Sequence, residues 1–235
     1  VQPISQRRPQ SRRSKIKYLS GKAVAMHKRI GISICLLTLL TFTSCLPESK
    51  HPVSDLSEAE FEPNLCGVWI REDEDDVSYL HIGAEADKAL AAGAEKPEPG
   101  LMRFQLASHA KQEGRPVLHG SIGGRFFITK LVNNRYANIV SPLELSYPTE
   151  PAGDRSYLLM RFQVNDVRLA IYFLNMQEAA KAIDRGDLAG TVTREGQQIK
   201  NVQLTSDSKR LAEFLPTEAG EKLFRGDPLV YRRLR

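Results

Sequence analysis

Residues 65–235 predict a mainly β fold: a β-rich α+β domain built as an antiparallel barrel or curled sheet, with two or three short helices in its C-terminal half. Three observations lead there. Apolar and polar residues alternate with a period of two in one segment after another. Clusters of Gly, Asn and Asp separate those segments at hairpin distances. Helical spacing with capping residues appears only after residue 174.

The elements follow in order. "CGVWIRE" (66–72) and "VSYLHIG" (77–83) read as strands around the acidic turn "EDEDD". "LMRFQLAS" (101–108) sets Met102, Phe104 and Leu106 against Arg103 and Gln105, the alternation of a half-buried strand. "RFFITKLV" (125–132) is another, entered through "HGSIGG", whose glycines suit a turn or a bulge. "YANIV" (136–140) is a short strand, and "SYLLMRFQV" and "VRLAIYFLN" form a hairpin over Asn165-Asp166. The string Leu-Met-Arg-Phe-Gln occurs at 101–105 and 159–163, but the similarity stops there, so these are two like strands rather than repeats.

Next, Asn175 caps a helix over "MQEAAKAIDR", with Glu178 in the capping-box position and Gly186 at its end. "LAGTVT" and "IKNVQLT" are strands. "SDSKRLAEFL" spaces Leu211, Phe214 and Leu215 helically until Pro216 stops it. "TEAGEKLF" is a further short helix and "PLVYRRL" a last strand.

Gly67-Val68-Trp69, opening the first strand, resembles the Gly-x-Trp motif of the lipocalin and calycin barrels. The resemblance implies that Trp69 fills the barrel floor and that a late arginine, Arg232 or Arg233, stacks across it. Two features depart from the pattern. The second, Thr-Asp-Tyr-like motif is missing, and helices precede the last strand where lipocalins place one after it. A calycin-like barrel and another antiparallel barrel or curled sheet are both compatible with these residues.

The charge of +5 suggests nucleic-acid binding until its position is considered. Nine of the 33 Lys/Arg lie in residues 1–44, which contain no acid. The other 24 accompany all 28 Asp/Glu, so residues 45–235 are net acidic and no nucleic-acid partner is expected.

The basic leader has its own logic. Met26-His27-Lys28-Arg29 forms a positive n-region and Ile30–Phe42 an apolar h-region, too short for the roughly 20 residues of a spanning helix. Phe42-Thr43-Ser44-Cys45 resembles the lipobox of bacterial lipoproteins, with Phe42 where Leu is usual. That resemblance implies cleavage between Ser44 and Cys45 and acylation of Cys45, which would then hold the protein to a membrane. An uncleaved signal anchor or plain secretion is the alternative. Leu46, not Asp, follows the cysteine, which under the sorting rule of that family implies the outer membrane. The resulting organisation is an upstream extension without a fold (1–25, with Met26 as the expected start), a lipoprotein signal peptide (26–44), a flexible acidic tether (45–64) and one β-rich globular domain (65–235).

No constellation of catalytic residues stands out, and no cofactor or metal is expected. Cys66 is alone in the mature chain and reads as a small buried hydrophobe. Glu72 to Asp76 lack the glycine and distal Glu of a Ca²⁺ loop and read as a solvated turn. His81, His109 and His119 would need three strands to converge on a metal. Ser121 lacks the Gly-x-Ser-x-Gly spacing of a nucleophile elbow. The expected role is therefore a lipid-anchored envelope lipoprotein that binds an apolar small ligand or an envelope protein. A structural or assembly subunit is the second reading, a hydrolase the third.

Overall fold

The computed structural model describes residues 46–84, 100–112, 114–141 and 156–234. Ser44 and Cys45, and the leader before them, lie outside the described residues, so the expected signal and lipidation site have no structural account.

Eight antiparallel strands close a barrel of calycin-like architecture. They are β2 (Gly67–Glu72), β3 (Asp76–Ala84), β4 (Met102–Gln112), β5 (Arg115–Leu131), β6 (Asn134–Ser141), β7 (Ser156–Val164), β8 (Arg168–Phe173) and β11 (Leu229–Arg233). Each pairs with the next in that order, and β11 returns to β2 through Arg232↔Ile70 and Arg233↔Trp69. "HGSIGG" proves to be a bulge inside β5: Ser108 pairs with Gly120 and His109 with Leu118, leaving His119 as the extra residue. The β7–β8 turn forms as its sequence predicts, with Asn165 Oδ1 accepting from the backbone N–H of Val167 and Arg168.

The insertion between β8 and β11 holds α1 (Met176–Asp184), the hairpin β9 (Gly190–Glu195) and β10 (Gln198–Leu204), α2 (Ser208–Phe214) and α3 (Glu218–Lys222). All three helices are capped by the residues that favour caps: Asn175, Asp207 and Thr217 accept from the backbone N–H of Glu178, Arg210 and Gly220.

Strand alternation then builds two cores on the two faces of one wall. Leu65, Trp69, Leu80, Met102, Phe126, Ile128, Ile139, Leu158, Phe162, Leu169 and Tyr231 fill the barrel interior. Their neighbours in sequence, Tyr136 and Leu159, point outward and pack with Val202, Leu204, Leu211, Phe214, Leu215, Leu223 and Phe224 of the inserted layer. The cationic partners of "LMRFQ" follow the same rule: Phe162 is inside, and Arg161 lies outside over the Tyr172 and Phe224 rings, at 4.7 and 5.9 Å.

The expected tether is a correction. From Leu46 onward, residues 46–64 are part of the fold. Leu46 packs against the barrel-interior cluster, and Glu48–Ser49 form β1, paired with β10 and, through Ser49↔Tyr157, with β7. The chain then descends the outer wall. Val53, fully buried, donates its N–H to Asn138 Oδ1 at 2.7 Å, and Ser54 bonds Thr129 at 2.7 Å. Glu60 bridges Ile128, Glu62 pairs with Arg135, and a 3-10 turn at Pro63–Leu65 leads into β2. Composition suggests a tether because these residues are polar and few are large. Their polar groups are instead satisfied by Asn138 and Thr129, some 75 to 85 residues away in the chain.

Candidate functional site

The barrel has two unlike ends. At one, the turns β5–β6 and β7–β8 meet the start of β2 and the end of β11. Here Trp69 is completely buried and its Nε1 donates to the Leu65 carbonyl at 2.8 Å. Arg233 lies across the ring, its guanidinium carbon 4.3 Å from the ring centroid. Nη1 donates to the Cys66 carbonyl at 2.8 Å and Nη2 to the Asn64 carbonyl. One guanidinium thus covers the indole and ties the 3-10 turn to the last strand. Of the two arginines expected there, Arg233 is the one; Arg232 faces outward and pairs with Glu72 at 3.0 Å.

Gly67 is required by the same arrangement. Its φ of +136° is one that other residues rarely adopt, and a Cβ would stand 2.9 Å from Arg233 Nη1. Cys66 sits beside it as a free thiol, half-buried, and burial pushes its pKa up, partly offset by the Ala84 backbone hydrogen bond.

The opposite end is a polar mouth. Glu48 reaches into it and accepts from Ser156 Oγ at 2.8 Å and Ser141 Oγ at 3.2 Å. Ser78 and Ser108 share a 3.5 Å contact across β3 and β4. The β2–β11 seam opens toward this end, since its pairing (Arg232↔Ile70, Arg233↔Trp69 and the Leu234 N–H to the Val68 carbonyl) lies toward the floor. A crevice of about 550 Å³ fills the gap, bordered by Arg71, Asp73, Asp227, Leu229 and Arg232. A second, shallow groove of about 540 Å³ crosses β2 to β5, bordered by Val68, His81, Gln105 and Gly123 of the outer face and by the inward-facing Ile82 and Phe104.

The other candidates do not come together. His109 stands level with Val77, four residues along β3 from His81, or about 13 Å away. His109 packs edge-on against Tyr79 at 5.3 Å, and His119 occupies the bulge. Ser121 is an exposed residue opposite Ala107. In the acidic turn, Glu72 and Asp73 pair with Arg232 and Arg71, and Lys111 Nζ donates to the Asp73 and Glu74 carbonyls. Among the described residues, no three His, Cys, Asp or Glu side chains are placed to hold a metal ion, and no helix is long and apolar enough to cross a membrane.

Glu48 and its two serines were not legible in the sequence, because three separate segments supply them. Tyr136 is a second hidden feature. It is fully buried, its hydroxyl makes no hydrogen bond among the described residues, and burial pushes its pKa up to about 12. No protein family, curated protein or solved structure matches the chain, so its likeness to the calycin barrels rests on the closed eight-strand topology and the Gly67–Trp69–Arg233 floor.

Proposed function

We propose that the chain is a lipid-anchored bacterial envelope lipoprotein whose calycin-like barrel is a binding module for a small apolar ligand. The anchor reading rests on the apolar run that ends at Phe42-Thr43-Ser44-Cys45. One observation carries the binding reading: the barrel is plugged by Trp69 and Arg233 at one end and rimmed by small polar side chains at the other. Ile82 and Phe104 are only partly buried and border the groove across β2 to β5, so apolar surface is left there for a ligand to cover.

Native mass spectrometry of the protein purified from a bacterial envelope tests both parts. Acylation on Cys45 and a discrete excess mass lost on denaturation are expected. An unmodified Cys45 would remove the anchor reading, and equal native and denatured masses the ligand reading.

A second reading is an envelope protein partner. It is favoured by three exposed apolar side chains at the floor end: Val132 (72% exposed), Val167 (52%) and Leu234 (44%). Crosslinking from Val132→Cys to one envelope protein would support it.

A further inference from the structure

We infer that the mouth of the barrel, not its floor, rests against the lipid surface, and that the surface it fits is one of zwitterionic head groups. The inference builds on the acylation of Cys45 proposed above. Chain length decides which end lies near the anchor. Cys45 and Leu46 are adjacent, and one residue spans at most about 3.6 Å. Leu46 is already packed against the barrel interior, Pro47 is buried, and the Glu48 side chain is held by Ser141 and Ser156 at the mouth. No slack therefore separates an acylated Cys45 from this rim.

The direction of the next residues fixes the polarity. β1 pairs with the first residues of β7, and the chain runs down the outer wall past Asn138, Thr129 and Ile128 before Pro63–Leu65 reach the floor. A nine-residue strand such as β7, tilted as barrel strands are, separates the two ends by roughly 20 Å. The floor, with Val132 and Val167 in its turns, consequently faces away from the bilayer.

Charge selects the lipid. The β2–β3 turn is on the mouth side, and its Glu72 and Asp73 are neutralised by Arg232 and Arg71. Glu74, Asp75 and Asp76 have no such ion pair among the described residues; the cations of the adjacent β4–β5 turn are Lys111, which donates to the Asp73 and Glu74 carbonyls, and Arg115, so the carboxylates still outnumber them. An anionic surface would repel these carboxylates, and a zwitterionic one would not.

The full chain, exported and acylated in a bacterial host and purified from membranes, provides the test. Cys66→Ser leaves a single label site in each of two further variants, Glu74→Cys at the mouth and Val132→Cys at the floor. Each is labelled with a fluorophore and reconstituted into phosphatidylcholine vesicles carrying a nitroxide-headgroup lipid. Quenching should be several-fold stronger at position 74 than at 132, and should weaken when phosphatidylglycerol replaces part of the phosphatidylcholine. Equal quenching at the two positions, or stronger quenching at 132, overturns the orientation; stronger quenching at 74 with phosphatidylglycerol overturns the head-group preference. Intact mass read on the same samples separates the two proposals, because an orientation failure with Cys45 acylated leaves the anchor reading standing.

Discussion

The two ends of the barrel are made from the same strands and held by different chemistry. At the floor, a buried indole is covered by one guanidinium that reaches two backbone carbonyls, and a glycine is needed to make room. At the mouth, a carboxylate and two serines tie a crossing segment to the rim, and the seam between first and last strands is nearly unpaired. The floor is fixed by packing, which tolerates little change. The mouth is fixed by hydrogen bonds that water can replace. A binding module needs this asymmetry: one end to hold the shape, the other to admit a ligand.

The comparison breaks most readily at Trp69. Trp69→Ala leaves a cavity against Leu65 and the Arg233 guanidinium, at a cost of about 3–5 kcal/mol. In a domain of this size that lowers Tm by roughly 10 °C, readable by calorimetry. A loss under 1 kcal/mol would mean that the floor is not the structural end.

Gly67→Ala is smaller and tests a different feature, since the new methyl must displace Arg233 and accept a positive φ. About 1–3 kcal/mol is expected. The loss should nearly vanish in an Arg233→Ala background if displacement of the guanidinium dominates, and persist if backbone strain does. Arg233→Lys keeps the charge and removes the planar fork, so a single ammonium cannot bridge both carbonyls and cover the ring. A loss of about 1–2 kcal/mol follows, and urea titration of the two Arg233 variants should place Lys nearer to Ala than to Arg.

The mouth should respond weakly. Glu48→Gln keeps one acceptor oxygen and exchanges two charge-assisted bonds for neutral ones, at a cost below about 1 kcal/mol. Hydrogen exchange should quicken at Ser49 and Lys50, whose strand contacts Glu48 supports, and stay unchanged at Trp69. Matching increases at both ends would show that the ends are not independent.

How much of this was legible beforehand follows from the range of each interaction. Asn175, Asp207, Thr217 and the Asn165 turn act within three residues, and sequence reading placed the helices and the hairpin from such signals. Gly67 and Trp69 were visible as a motif, and their partner was narrowed to two arginines because the last strand must close on the first. Residues 46–64 read as a tether for the opposite reason. Their order comes from Asn138 and Thr129 on strands distant in sequence, and a polar composition looks the same whether its partners are water or a wall. The mouth was invisible on the same grounds, since Glu48, Ser141 and Ser156 have no shared local pattern.

Between the ends, Tyr136 tests whether the wall itself is dry. Its ring packs 5.5 Å from Phe224 while its hydroxyl has no hydrogen-bond partner among the described residues. Removing that hydroxyl forfeits no bond and relieves the desolvation of a buried polar group, so Tyr136→Phe should stabilise the chain at pH 8 by up to about 1–3 kcal/mol. The difference grows with alkali. In the folded chain the hydroxyl stays protonated up to about 12, whereas in the unfolded chain it ionises near its ordinary 10. Below pH 10 both states hold the proton and the contribution is complete; between 10 and 12 only the unfolded state releases it, and the native protein loses stability that the Phe variant retains. Urea titrations of both proteins at pH 8 and pH 11 should show the native chain losing more between the two. Parallel losses would mean that water reaches the hydroxyl, and that the wall between mouth and floor is as wet as the rim above it.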